Sequence, residues 1–392
     1  MAIPLKYNLK SLFVRRLSTA VTVITFAVVV GIFLTIMALA EGLRTTLVAT
    51  GEPLNIMIFQ QGNQAEVSSA VPQEAASIIS NLSGIMKDDQ GQPLVSPEIV
   101  LLENLPKRGP EGEVGNVVVR GISPKGFQLR PKARLVGGRM FRPGLREAVV
   151  SRAISERFQS TALGDQVNLG KGDWTIVGIF DAQGTAFDSE IWVDVNQAAG
   201  DFNRRSYSIV LLRAADEAAL LTLVQQVTSD PRLHMNAMRE KSYYDEQTRV
   251  IGPIRGIGMF LVFVLGMGAV FAAMNTMYAS VANRTKEIAT LRVFGFTRWS
   301  ILISFLTESC LLALIGGALG CLLALPMNGV TTGTTNALTY SEIAFHFHVS
   351  AGLIMSALIL SLIMGLCGGL IPARYAARQP IISALRGGFV GK

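Results

Sequence analysis

Cysteine is scarce: the 392-residue chain has three, Cys310, Cys321 and Cys367, and all lie inside apolar runs. The long stretch from Glu41 to Gly252 has none, so no disulfide framework is implied there. Within the apolar runs a thiol acts as a small hydrophobe. Nucleotide and catalytic signatures are missing too. No GxxxxGK[ST] occurs, and Gly164 to Gly172, the nearest approach, has the wrong spacing, so a P-loop is excluded for this sequence. HExxH, GxSxG and paired CxxC are also absent, which leaves no reason to expect covalent catalysis or a bound metal. His346-Phe347-His348 comes closest to a ligand set, because alternate residues of an extended segment point the same way. Only Glu342 lies near, and a metal site normally needs at least three ligands.

Half the residues are hydrophobic and the mean hydropathy is +0.41, so membrane spans are expected. The net charge of +7 is a matter of topology, and nucleic acid is not an expected partner. Lys6, Lys10, Arg15 and Arg16 precede the first apolar run, Arg284, Lys286, Arg292 and Arg298 fill a short segment between two others, and Arg374, Arg378, Arg386 and Lys392 follow the last. This is the positive-inside pattern, which places all three segments in the cytoplasm.

Four spans follow from it: 18–40, 253–281, 301–326 and 349–372, with Pro372 expected to end the last. Cytoplasmic segments are expected at 1–17, 282–300 and 373–392, an outer domain at 41–252 and a short outer loop at 327–348. Cleavage after Ala38-Leu39-Ala40 is a competing reading, but the apolar run exceeds the length of a signal h-region. The outer stretch mixes β-branched runs, such as Leu54–Gln60, Val114–Arg120 and Ile191–Val195, with helical patterns at Pro72–Leu82 and Glu217–Thr228. Gly170-Lys171-Gly172-Asp173 reads as a hairpin turn between Gln166–Leu169 and Trp174–Phe180. An α+β domain of two lobes is expected, with Ser242–Val250 and Glu41–Leu47 as helical stalks.

The organising stretch is Asn283 to Ser300. Ile257–Val281 before it has no charge and Ile301–Pro326 after it has only Glu308, each run being about 25 residues. Ile288, Leu291 and Phe294 recur at helical spacing, with Arg284, Lys286, Glu287 and Arg292 off that stripe, and Gly295 stands where a left-handed residue closes a helix. Physically this is either a solvated interfacial loop or an amphipathic docking knob. Glu308 lies inside the third run, where an ionised carboxylate needs a partner; Arg298 or a basic residue of the tail is the expected one. Gly316 and Gly320, and Gly365 and Gly369, put small residues on one face of the third and fourth spans, to pack spans within a subunit or to seal a dimer.

The run from Asn275 through Glu287, Arg292 and Gly295, with Phe305-Leu-Thr-Glu308, Gly316-Gly-Ala-Leu-Gly320 and the tail Ile371-Pro372-Ala373-Arg374 to Arg386, resembles the FtsX-like permeases. These are the membrane subunits of the MacB/LolCDE class of ABC transporters. Gly138-Arg139-Met-Phe141, Leu163-Gly164-Asp-Gln-Val167 and Ile176-Val-Gly-Ile179 are similar, more patchily, to the periplasmic core of MacB-type permeases. The resemblance implies that 282–300 is a coupling helix entering a groove on a separate ABC ATPase dimer, which would hold the ATP and Mg. It also implies a second permease subunit, contact with lipid at the inner membrane, and possible partnership with a periplasmic adaptor and an outer-membrane channel. The expected cargo class is a lipoprotein, lipid, peptide or hydrophobic drug. Three rivals remain: an FtsX-type regulator of a cell-wall hydrolase, whose outer domain is typically smaller; an ion-driven secondary transporter, for which Glu308 alone is too little; and a membrane-tethered enzyme, for which no catalytic constellation is found.

Overall fold

The computed structural model describes residues 16–63, 65–109, 112–335 and 342–380; Lys6, Lys10 and Arg15, and the tail from 381 with Arg386 and Lys392, lie outside the described residues. In chain order the elements are α1 (Arg16–Thr50), β1 (Asn55–Gln60), α2 (Gln73–Ser80), β2 (Val95–Pro106), β3 (Val114–Ile122), α3 (Pro124–Gln128), β4 (Arg134–Gly138), β5 (Glu147–Ser151) and α4 (Arg152–Arg157). Then come β6 (Gln166–Leu169), β7 (Gly172–Asp181), β8 (Glu190–Asp194), α5 (Val195–Asp201), β9 (Ile209–Arg213), α6 (Glu217–Ser229), β10 (Met235–Arg239) and α7 (Glu240–Gln247). The chain closes with α8 (Ile251–Asn283), α9 (Thr285–Val293), α10 (Arg298–Ala324), β11 (Thr331–Thr335), β12 (Glu342–His346) and α11 (Ala351–Arg378).

These elements divide into two compact units: a helical unit of residues 1–41, 252–330 and 347–392, and a sheet unit of residues 42–251 and 331–346. Among the described residues, four helices are long and apolar enough to cross a membrane, and they carry α1, α8, α10 and α11. Small residues set their packing. Gly316 meets Phe26 and the Val23 carbonyl, and Gly320 meets Val30 and the Ala27 carbonyl, so this pair seats α10 on α1. Gly365 meets Ala313 and Gly369 meets Ser309, seating α11 on α10, and Gly368 meets Ala273 of α8. Both glycine pairs thus meet neighbouring spans of the same chain. Ser309 Oγ donates to the Gly365 carbonyl at 2.7 Å, and Ser361 Oγ to that of Ala313, adding cross-helix bonds where no water competes.

The helix carrying the last span does not stop at Pro372, as the sequence suggested; α11 continues to Arg378 with the proline inside it. A proline removes one backbone donor and crowds the carbonyl four residues back. Here that turn ends in Ala373, Ala376 and Ala377, all buried with Met277, Val281, Ile288 and Phe305, and this burial carries the helix through.

The sheet unit is built on a mixed sheet of ten strands with the order β10-β1-β9-β2-β3-β8-β5-β7-β4, and β6 paired to β7. Two apolar cores match the expected pair of lobes. One gathers Ile56, Ile58, Ile79, Val210, Leu212, Leu220 and Leu223; the other gathers Ile99, Leu101, Val119, Phe158, Trp174, Ile191 and Val193. The hairpin of β6 and β7 forms as expected, with Gly170 at φ +63° in its turn. Val195 is a correction: Asp194 accepts the Gln197 amide as an N-cap, so Val195 opens α5 rather than closing a strand. The segment read as a loop at 327–348 contains the antiparallel hairpin of β11 and β12, and that hairpin belongs to the sheet unit.

Candidate functional site

The site expected at 282–300 is a short helix clamped at both ends. α9 follows α8 after Arg284, whose backbone leaves helical geometry at φ −110°, ψ 13°. At its far end the Gly295 amide bonds to the Arg292 carbonyl at 3.2 Å and the Phe296 amide to that of Leu291 at 3.1 Å, with Gly295 at φ +91°. This double bond pattern with a left-handed glycine stops the helix after one short run. Thr297 then caps α10 by accepting the Ser300 amide at 3.2 Å.

The eight residues singled out here divide into two sets. Arg284, placed by its spacing on the polar face, turns inward instead: its Nη1 donates to Glu308 Oε2 at 3.0 Å. The expected partners of Glu308, Arg298 or a tail residue, are replaced by Arg284, whose guanidinium reaches Glu308 where it is buried ten residues into α10. Arg292 also turns back, donating to the Ala377 carbonyl of α11 at 3.2 Å. Ile288 and its neighbour Ala289 are buried, and Leu291 is half-buried. The expected stripe breaks at this point. Phe294 is 73 % exposed, and Val293 and Trp299 stand exposed with it, while Lys286, Glu287 and Gly295 face out. The inner half is therefore an anchor and the outer half an apolar knob with charges around it.

The sheet unit holds a feature that motif reading missed. Strand alternation sends Ile99, Val119, Ile191 and Val193 into one core and puts Glu98, Arg120, Glu190 and Trp192 on the opposite face. That face is covered, and the charges on it pair. Arg120 donates to Glu66 at 2.6 Å and bidentately to Glu190 at 2.7 and 2.8 Å. Arg130 grips Glu98 through two bonds of 2.7 and 2.6 Å and lies 4.7 Å from the centre of the Phe187 ring. Glu240, at the start of α7, accepts from the Glu52 amide at 3.0 Å and from Asn55 at 2.9 Å, tying the chain leaving α1 to the chain entering α7. Burial pushes the Glu240 carboxyl up to about 7, against the pull of Arg130. The Glu98 carboxyl goes the other way: burial raises it, but Arg130 and Arg120 together carry it below the usual range. A charge abutting a run rich in β-branched residues, as in Val117-Val118-Val119-Arg120 and Glu190-Ile191-Trp192-Val193, was the available signal.

His346 and His348 form no ligand set with Glu342. Its carboxylate is taken by Arg157 and Lys107, and the His348 amide donates to the Ala38 carbonyl at 3.3 Å.

With this arrangement in view, the comparisons decide the family. The model of the MacB-like periplasmic core domain matches residues 19–230, more than half the chain, and that of the FtsX-like permease C-terminal region matches residues 259–381. The chain belongs to the MacB/FtsX family of ABC transporter permeases. Among its relatives, the permease is 25 % identical over 401 residues to the macrolide export ATP-binding/permease protein MacB of Hahella chejuensis. That alignment takes in 94 % of this chain and 58 % of the relative. It is also 25 % identical to the ABC transporter permease YknZ of Bacillus subtilis, across 97 % of this chain and 98 % of that protein. The periplasmic region of MacB from Actinobacillus actinomycetemcomitans aligns with 50 % of the chain and 94 % of that structure at 15 % identity, with a TM-score of 0.38.

Proposed function

We propose that this permease couples ATP hydrolysis by a separate ABC ATPase dimer to movements of the sheet unit on the outer side of the inner membrane. Those movements export or extract a lipoprotein, lipid, peptide or hydrophobic drug; the Hahella relative is named for macrolide export. The observation that carries the reading is the two-sided foot. Val293, Phe294 and Trp299 present apolar surface outward, while Arg284 and Arg292 bind the same short helix to α10 and α11. A knob rigidly fixed to the spans passes a push onward, where a loose loop would absorb it. The basic residues of the foot support its placement in the cytoplasm. ATP and Mg belong to the partner in this scheme.

A second permease subunit is part of the same proposal. Leu17, Val21, Ile24 and Val28 are exposed along α1 at alternating steps of four and three residues, the spacing of a helix–helix seam. A groove of about 350 Å³ lined by Val28, Gly31, Ile32, Thr35 and Leu323 continues it.

The test is capture of partners by the tagged full-length chain from its native membrane, followed by ATPase assay of the purified complex. Recovery of an ABC ATPase is expected, with binding lost in Phe294→Asp. Recovery of a cell-wall hydrolase with no effect on cargo supports the regulator instead, and absence of any ATPase contradicts both.

A further inference from the structure

α11 ends in a charged stripe that the foot does not use. Ile363, Leu366, Leu370, Arg374 and Arg378 are exposed and lie three or four residues apart. One face of the helix therefore runs from apolar side chains straight into two guanidinium groups. From Ile363 to Arg374 the helix rises about 16 Å, the depth of one leaflet's hydrocarbon. Beside the stripe Tyr375 meets Tyr278 of α8 edge-on, with ring centres 5.9 Å apart, and both rings are exposed. Behind them Ala373, Ala376 and Ala377 are buried with Met277 and Val281 of α8, so the two helix ends form one wall. Among the described residues neither Arg374 nor Arg378 is paired with a carboxylate. The only acids of α8 to α11 are Glu287 and Glu308, and both turn to Arg284. The negative end of α11 is met by a different residue, Arg292, on the Ala377 carbonyl.

We propose that this face holds an anionic phospholipid of the surrounding bilayer. Its phosphate sits between Arg374 and Arg378, its acyl chains lie along Ile363, Leu366 and Leu370, and its glycerol region rests against the Tyr278–Tyr375 wall. Each part of the face matches one part of that molecule. A guanidinium offers a planar fork that suits phosphate oxygens, and two of them one turn apart can share a single headgroup. Tyrosine rings with an apolar body and a polar tip belong at headgroup depth. A soluble anion would use the arginines and leave the apolar run and the ring pair without a role. An acidic protein surface would meet the same mismatch along Ile363 and Leu366. The site stands whether or not the foot engages an ATPase.

Native mass spectrometry of the full-length permease, titrated in detergent with phosphatidylglycerol or phosphatidylcholine, tests the site. Phosphatidylglycerol is expected to bind about tenfold more tightly, and Arg374→Gln/Arg378→Gln to bring the two lipids level. Arg374→Lys/Arg378→Lys is expected to keep part of the preference, because the charge remains and the planar fork is lost. Lys286→Gln/Arg298→Gln removes the same charge from the foot and is expected to leave the preference intact. An equal loss in that control means a diffuse effect of charge and overturns the site. Unchanged preference in Arg374→Gln/Arg378→Gln also overturns it, and loss of ATPase capture by the same variant then assigns the face to a protein partner. Inorganic phosphate that displaces phosphatidylglycerol at matched concentration makes this a site for a free anion and overturns the lipid as occupant. Both arginines are exposed, so the double variant is expected to melt with the wild type. Should it unfold, the two single Arg→Gln variants are read in its place, and wild-type preference in both overturns the proposal.

Discussion

Arg284 Nη1 lies 3.0 Å from Glu308 Oε2, so the residue before α9 is ion-paired to the interior of α10. Both side chains are largely buried, at 14 % and 6 % exposure. The pair converts a turn between two spans into a fixed corner. Removing one partner strands a charge and costs about 3 kcal/mol, whereas removing both can be nearly neutral. Glu308→Ala is therefore expected to lower the melting temperature of the purified permease by several degrees. Arg284→Ala/Glu308→Ala is expected to recover most of it. Additive losses in the double variant count against the pair as the anchor.

The glycine contacts give a second expectation. Gly316→Leu drives a side chain into Phe26 and the Val23 carbonyl, and Gly320→Leu into Val30 and the Ala27 carbonyl, separating α10 from α1. Overpacking of this kind costs about 1–3 kcal/mol or more. Gly252→Ala and Gly256→Ala, with nothing within 4 Å of the added carbon, serve as neutral controls. Thermal unfolding in detergent should separate the two sets.

Much of this architecture is legible in the sequence, and the exceptions have physical causes. The four spans, the two lobes and the hairpin turn at Gly170 follow from apolar length, strand alternation and turn chemistry. Three features did not follow. Pro372 obeys its local rule less strongly than the buried alanines beyond it pull the helix onward. Arg284 has a position on the helical wheel that says solvent, but the wheel cannot show that α10 supplies a buried carboxylate beside it. The segment 331–346 is rich in Thr and reads as a loop, because the burial of Glu342 and Ala344 comes from partners such as Ser189 and Arg157 more than a hundred residues away.

The buried carboxylate at the joint of α1 and α7 makes stability depend on pH. The Glu240 carboxyl is raised from 4.5 to about 7, so the fold disfavours its ionised form. The stability tied to it is fully present below about 4.5 and is lost as pH rises through 7. Arg130, Glu98 and Asn55 face it throughout. Trp192, stacked on Phe180 with ring centres 4.1 Å apart, reports this region. Its unfolding transition is expected to move to lower temperature between pH 5.5 and pH 8. Glu240→Gln should flatten that change and raise the transition at pH 8. Parallel pH curves for wild type and variant refute the assignment.

The foot gives the expectation that bears on mechanism. Phe294→Asp keeps the Arg284 and Arg292 anchors and places a charge on the exposed knob. Melting temperature is expected to stay within about 2 °C of wild type while ATPase capture falls at least tenfold, as for loss of a central apolar contact. Equal loss of stability and capture points to a folding defect instead.

The account stands on the foot facing the cytosol. The most direct measurement is labelling of Trp299→Cys, in a chain whose Cys310, Cys321 and Cys367 are replaced by alanine, with a membrane-impermeant maleimide. Trp299 is 72 % exposed, so access to reagent reports sidedness. The account predicts labelling only after the membrane is opened; labelling in intact cells contradicts it.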